Sequence, residues 1–180
     1  QKPKKLKTVM IAAGCIFLLV FFALFGLYLD QKEKDQTVST GTAFIMDTFV
    51  DQKLVGRDSA DAVIAVNKAL GQFEDRMSAY RTESQISRIN EMAGIDFVQV
   101  DEETFELLVL AKEYCLSSQG LFDITIGPLV DLWDINGTDP TVPDEQSIRN
   151  AMDLIDINDL LLDPENGSVM LKRKGQKLNL

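Results

Sequence analysis

Two short stretches of the chain carry residue types able to hold a polar ligand. In GLFDITIGPLV, residues 120–130, alternate apolar residues would place the Asp123 carboxylate and the Thr125 hydroxyl on one face of a strand. Two oxygens facing one way could bind a polar group, and an edge strand whose polar face simply meets water is the plainer reading of the same pattern. In SAYRTES, residues 78–84, Tyr80 can stack on a planar ring with Arg81 beside it. A solvated loop with one packed aromatic is the plainer reading of that pattern, and Ser84 is placed to cap a helix. The chain has no histidine, which excludes a Ser-His triad, a His-rich zinc site or a His general base within these residues.

The elements that must position these groups follow from periodicity. Residues 42–55 are rich in Thr, Phe, Ile and Val and suit one or two strands with a turn near Asp51 and Gln52. From Asp58 onward Val63, Val66, Leu70, Phe73 and Met77 recur at helical spacing, predicting a helix capped by Asp58 or Ser59 whose stripe faces the core. Asp101 begins a second helix, with Leu107, Leu110, Ala111 and Tyr114 on one face and Gly120 as its stop. Gly127 and Pro128 open a short helix, since proline at the first helical position gives up no needed amide hydrogen. Residues 143–153 suggest another helix. Residues 160–162 and 169–171 suggest a hairpin whose Asn166-Gly167 pair supplies positive φ angles. Helices and antiparallel strands mix without regular alternation, so the fold class is α+β.

The 180 residues suffice for one ordinary domain, and the 46% hydrophobic content for a real core. The net charge of −10 hides two opposite parts, because residues 1–29 hold four lysines and no acid, leaving −14 on the rest. So acidic a body repels phosphate backbones and argues against a nucleic-acid partner. Residues 8–29 form an apolar run of 22 behind Lys2, Lys4, Lys5 and Lys7, long enough to cross a bilayer as a helix. The lysines would remain in the cytoplasm and the body would lie on the extracytoplasmic side. A cleaved signal peptide has a shorter apolar core. Ala12, Ala13, Gly14 and Cys15 are similar to a lipoprotein processing site, but the apolar run continues past Cys15, where a lipoprotein turns polar. The resulting organisation is an anchor at 1–30, a polar linker at 31–40 and a body at 41–180. Cys15 and Cys115 lie in unlike settings and are read as packing residues. The lack of an initiator methionine, and an end at Leu180 inside an apparent strand, suggest a fragment.

Four segments in order resemble the FAD:protein FMN transferase family, also called ApbE. Met46-Asp47-Thr48 resembles the early Met-x-Thr motif, and MSAYRTESQISRIN at 77–90 resembles the family's loop and following helix. The segment at 120–133, GLFDITIGPLVDLW, is the most specific, and KLNL at 177–180 resembles the start of the next motif. Leu121 departs from the pattern, standing where many members have a small residue. The resemblance covers about the first half of a family domain.

That resemblance implies an ApbE-like fold and an activity that moves FMN from FAD to a Thr or Ser hydroxyl of a target protein, with Mg²⁺ assistance and release of AMP. It implies that Met46, Tyr80, Leu121, Phe122 and Asp123 contact FAD, and that Asp123 and Thr125 can support the site. It places the catalytic base and the metal ligands beyond Leu180, so none is named here. A non-catalytic, membrane-anchored FAD-binding protein and a membrane-anchored interaction domain remain as alternatives.

Overall fold

The computed structural model describes residues 2–135, 137 and 140–180, with side chains from residue 16 onward apart from Lys34. The lysines at 2, 4, 5 and 7, the first part of the apolar run and the motif ending at Cys15 lie outside the described side chains. The chain divides into two compact units, Gln1–Ala69 and Leu70–Leu180.

In the first unit, α1 (Lys2–Lys34) holds most of the apolar run. Among the described residues no helix is long and apolar enough to cross a membrane. Helix α1 continues to Lys34 and β1 (Val38–Ile45) follows, so both elements reach into residues 31–40. Strand β1 pairs antiparallel with β2 (Thr48–Val55), Val38 opposite Val55 and Ile45 opposite Thr48. The turn is therefore at Met46 and Asp47, both at φ 54°, not near Asp51. The primed turn matches the strand twist, as the register requires. Asp51 is instead a strand residue, its carboxylate accepting from the Thr42 hydroxyl at 2.6 Å. Phe44 and Phe49 face each other across the pair with ring centroids 5.1 Å apart. Helix α2 (Ser59–Met77) lies so close that a Cβ on Gly41 would come 2.5 Å from Val63 Cγ1. The predicted stripe on α2 is core only toward its end. Met77 is buried and Phe73 packs on the core, whereas Val66 stays 38% exposed, since the first turns of α2 meet only a two-stranded sheet.

The second unit holds the core. Helix α3 (Gln85–Glu91), β3 (Val98–Gln99), α4 (Glu102–Ser117), α5 (Gly127–Trp133) and α6 (Glu145–Met152) precede a 3-10 turn at Ile157–Asp159. Strands β4 (Leu160–Asp163) and β5 (Ser168–Leu171) then complete an antiparallel sheet in the order β3-β5-β4. The hairpin forms as expected, but only Gly167 takes a positive φ, 59°. Asp163 closes the turn in place of Asn166, accepting from the Glu165 amide at 3.0 Å and from Asn166 Nδ2 at 2.8 Å. Ile86, Ile89, Leu108, Ile124, Leu160, Val169, Leu171 and Leu178 are fully buried or nearly so and form the centre. Each such side chain contributes about 1.5–3 kcal/mol by leaving water.

The inward face of α4 is turned only partly from the one the spacing suggests, since Ala111 is buried and Leu107 packs on the core as expected. Thr104, Leu108, Ala111 and Cys115 are buried, while Leu110 and Tyr114 are exposed. Both faces of α4 carry apolar residues at helical spacing, with Leu108 and Cys115 on the inner one. Gln119 and Gly120, at φ 57° and 85°, end the helix where the glycine predicts. Its start is held by Asp101, whose carboxylate accepts from the Thr104 amide at 2.8 Å and from Gln85 Nε2 at 2.6 Å.

Partial burial raises the pKa of Asp101, but the bonds from Thr104 and Gln85 and the nearby Arg76 charge outweigh it and hold the carboxyl below 3.8. A depressed carboxyl stabilises the fold above its unfolded pKa, and that stability is lost as pH falls through the folded value. Asp101→Ala should therefore cost about 0.5–2 kcal/mol at pH 7. The gap to wild type should close as urea denaturation is repeated at pH values below 3.8.

Candidate functional site

The candidate site grows from the end of α2. Once Met77 is buried, the chain must turn, and the turn is built from serines. Ser84 Oγ donates to the Ser78 carbonyl at 2.5 Å and accepts from the Ser87 amide at 2.9 Å, so one hydroxyl closes the loop and caps α3. Ser87 Oγ adds a bond to the Ala79 carbonyl at 3.1 Å. The loop held in this way presents Tyr80, 64% exposed. Arg81 points away, paired with Asp75 at 2.6 Å and Glu74 at 3.1 Å on the last turns of α2.

The facing wall is the segment 177–179. Ile126 and Lys177 make a parallel bridge, the Gly127 amide donating to the Lys177 carbonyl at 3.2 Å and the Asn179 amide to the Ile124 carbonyl at 2.9 Å. On its other side Asn90 Oδ1 accepts from the Leu178 amide at 2.7 Å and Asn90 Nδ2 donates to the Leu178 carbonyl at 3.0 Å. Asn179 Nδ2 donates to the Tyr80 hydroxyl at 3.1 Å, joining the two walls. Between them lies a cavity of about 350 Å³, bordered by Ala79, Tyr80, Thr82, Ser87, Asn90, Glu91, Gly127, Asp131 and residues 177–179. Its size suits a small-molecule ligand or part of a larger one. The cavity combines an aromatic ring, amide and hydroxyl groups and the paired charges of Lys177 and Asp131. Such a lining can stack on a flat ring and hydrogen-bond its edge.

The segment after α4 is not the strand predicted. Asp123 stands in a tight turn whose carboxylate oxygen Oδ1 accepts from the Thr125 amide at 2.8 Å and the Thr125 hydroxyl at 2.6 Å. An aspartate that hydrogen-bonds its own backbone two residues on competes with the sheet ladder, and here it wins. Asp123 and Thr125 do meet, through that turn and not through strand alternation. Thr125 and Ile124 are buried, α5 follows with Pro128 in its first turn, and Gly127 is buried at its start. Glycine is required there because a Cβ would come 2.6 Å from both the Lys177 Cβ and carbonyl oxygen.

Of the residues expected to contact a ligand, Tyr80 borders this cavity and Leu121, Phe122 and Asp123 do not. Leu121 is 94% exposed. Phe122 borders a separate apolar hollow with Leu107, Leu110, Ala111, Tyr114, Ser117 and Ser118. Met46 belongs to the first unit, at the hairpin turn. Cys115 is a buried free thiol whose sulfur accepts from the Ile124 amide at 3.4 Å. Burial, together with the Asp123 charge, pushes its pKa up despite that bond. This is the packing role expected for it. Among the described residues no three His, Cys, Asp or Glu side chains gather in a way that could hold a metal ion. Glu91 and Asp131 are the two carboxylates of the cavity, and Asp131 is already paired with Lys177.

Sequence reasoning missed Asn90, Asp131 and Lys177 as cavity residues. Asn90 had a readable signal: it follows Ile86 by one helical turn and Ile89 by one residue, a polar side chain on a buried helix face. Asp131 and Lys177 lie far apart in sequence, and their one signal was their place inside the family segments at 120–133 and 177–180.

Fold and cavity together define an α+β domain with an exposed tyrosine at one wall of a polar cavity. The chain belongs to the ApbE family, whose model matches residues 46–180. An FAD:protein FMN transferase of Klebsiella pneumoniae (strain 342) is 34% identical over 146 residues, 81% of this chain and 46% of that protein. One of Treponema pallidum (strain Nichols) is 32% identical over 93 residues, 52% of this chain and 26% of that protein. The crystal structure of an ApbE protein from Thermotoga maritima aligns with a TM-score of 0.75 at 25% identity, covering 80% of this chain and 47% of that one. The apo form of the Pseudomonas stutzeri flavinyl transferase ApbE shares the fold, with a TM-score of 0.69 at 24% identity over 79% of this chain and 47% of that one. The chain thus spans about half the length, or less, of the relatives it matches.

Gly127→Ala should push the 177–179 segment away from α5 and lower the melting temperature by several degrees, as overpacking costs about 1–3 kcal/mol. An unchanged melt in calorimetry would show that the two backbones are not held at this distance.

Proposed function

We propose that the protein acts in transfer of FMN from FAD to a Thr or Ser hydroxyl of a target protein. The observation that carries this reading is Tyr80: a family-motif tyrosine presented by a hydrogen-bonded loop into a cavity with amide and charged partners. Relatives named FAD:protein FMN transferase support it. In the proposed reaction the acceptor oxygen bonds to the FMN-side phosphorus, the diphosphate P–O bond to AMP breaks, and the hydroxyl proton is released. Tyr80 stacks on a ring of FAD, and Asn179 fixes the direction of its hydroxyl. Met46, Leu121, Phe122 and Asp123 are the further FAD contacts this reading carries, Asp123 as a hydrogen-bond acceptor. The family resemblance implies Mg²⁺, but the described residues supply no ligand set for it, so no step is drawn through a metal.

The same reading anchors the protein in a membrane with the body on the extracytoplasmic side. The lysines before residue 8 support that orientation, and the bulky apolar side chains from Ile16 to Leu29, which α1 leaves exposed, support the anchoring. A non-catalytic FAD carrier or an interaction domain at the membrane would share the anchor. The carrier would bind FAD without transferring FMN, and the interaction domain would not bind FAD.

Tyr80→Ala in the full-length protein should weaken FAD binding about ten- to a hundredfold by calorimetry, since an aromatic stack on a base is worth ~1–3 kcal/mol. Tyr80→Phe should cost much less. A folded alanine variant that binds FAD as tightly as wild type would overturn this site. The orientation is checked by reporter fusions after Gly41: an alkaline phosphatase, active only when exported, should work there, and activity of a cytoplasmic reporter alone would refute the topology.

A further inference from the structure

We infer that Asn90 is a positioning residue for the cavity: its carboxamide sets the register of residues 177–179 and, through Asn179, the place of Tyr80. The inference rests on the FAD reading for its consequence but not for its geometry. Asn90 bonds both backbone groups of one residue, the Leu178 amide at 2.7 Å and carbonyl at 3.0 Å. That two-point pattern is what a neighbouring strand would offer, supplied here by a side chain from α3. Only one orientation of the carboxamide satisfies both bonds, because the oxygen must face the amide and the nitrogen the carbonyl.

The register matters because adjacent residues of an extended segment point to opposite sides. All three residues border the cavity, but Leu178 is fully buried in the core while Lys177 is exposed and Asn179 half-buried. A slip by one residue would drive a charged or polar side chain into the core and withdraw both from the cavity. The Gly127 amide bond to the Lys177 carbonyl and the Asn179 amide bond to the Ile124 carbonyl hold one edge of the segment, and on the other edge Asn90 is the cavity-lining side chain that bonds the Leu178 main chain. Held in this register, Asn179 reaches the Tyr80 hydroxyl at 3.1 Å. The line of contact runs from α3 to Leu178, to Asn179 and to the ring, so Asn90 can govern the aromatic platform through other residues.

The test uses Asn90→Asp, nearly isosteric, which keeps the acceptor for the Leu178 amide but cannot donate to its carbonyl when ionised. Two readouts are needed, both on the full-length protein. Hydrogen exchange followed by mass spectrometry should show faster exchange in the peptide containing Leu178 and Asn179 than in wild type, with β4 and β5 unchanged. FAD affinity should fall about tenfold, the effect of a lost buried hydrogen bond. In a Tyr80→Ala background the same substitution should change affinity less than about twofold, because the ring it positions is gone. A role confined to stability would give equal losses in both backgrounds. Equal losses, unchanged exchange at 178–179, or unchanged FAD affinity with faster exchange would each overturn the inference. If wild type binds no FAD, the functional reading fails; exchange at 178–179 then decides whether Asn90 sets the segment, and unchanged exchange refutes it.

Discussion

A buried peptide unit has to find partners for its amide and carbonyl, and the peptide groups around Leu178 do so with no complete strand on either side. Asn90 serves one edge, and on the other the Gly127 amide donates to the Lys177 carbonyl and the Ile124 carbonyl accepts from the Asn179 amide. An orphaned group there would cost on the order of 1–3 kcal/mol, comparable with a large share of a small domain's net stability. Meeting that demand brings α3, the turn at 123–125 and the start of α5 to one place. The cavity is what remains between them.

This arrangement divides the family signature into residues that fold and residues that face outward. Ile124 fills the core, Thr125 satisfies the Asp123 turn, Gly127 permits the approach of Lys177, and Pro128 starts α5. Leu121 and Phe122 remain at the surface. The segment most diagnostic of kinship is thus, in its buried half, a folding device that sets the distance between two backbones. Its departure at Leu121 falls where a side chain meets nothing, so the fold tolerates it without adjustment.

Much of the fold was legible in local chemistry. Ser84 and Asp101 are capping residues that do what their side chains predict, and Gly120 and Pro128 mark a helix end and a helix start. The failures share a cause, in that a pattern compatible with two structures was read as one. Alternation around Asp123 fits a strand and also a turn closed by a carboxylate. The inward face of α4 could not be chosen by period, because Leu107 and Leu108 are neighbours and each begins an apolar stripe. The turn at Met46 lacked the usual Asn-Gly signal, so the polar pair at Asp51 and Gln52 drew the assignment away. The cavity was legible only at Tyr80, and its remaining side chains come together through pairings across almost ninety residues.

The lone described cysteine gives the core a chemical clock. Cys115 is buried beneath the turn at Ile124, and its neighbours disfavour the thiolate that an alkylating reagent needs. Labelling at that sulfur must therefore wait for α4 to lift away from the rest of the core, so its rate reports how often the interior opens under native conditions. The same shelter keeps the sulfhydryl from exchanging with thiols and disulfides of other molecules.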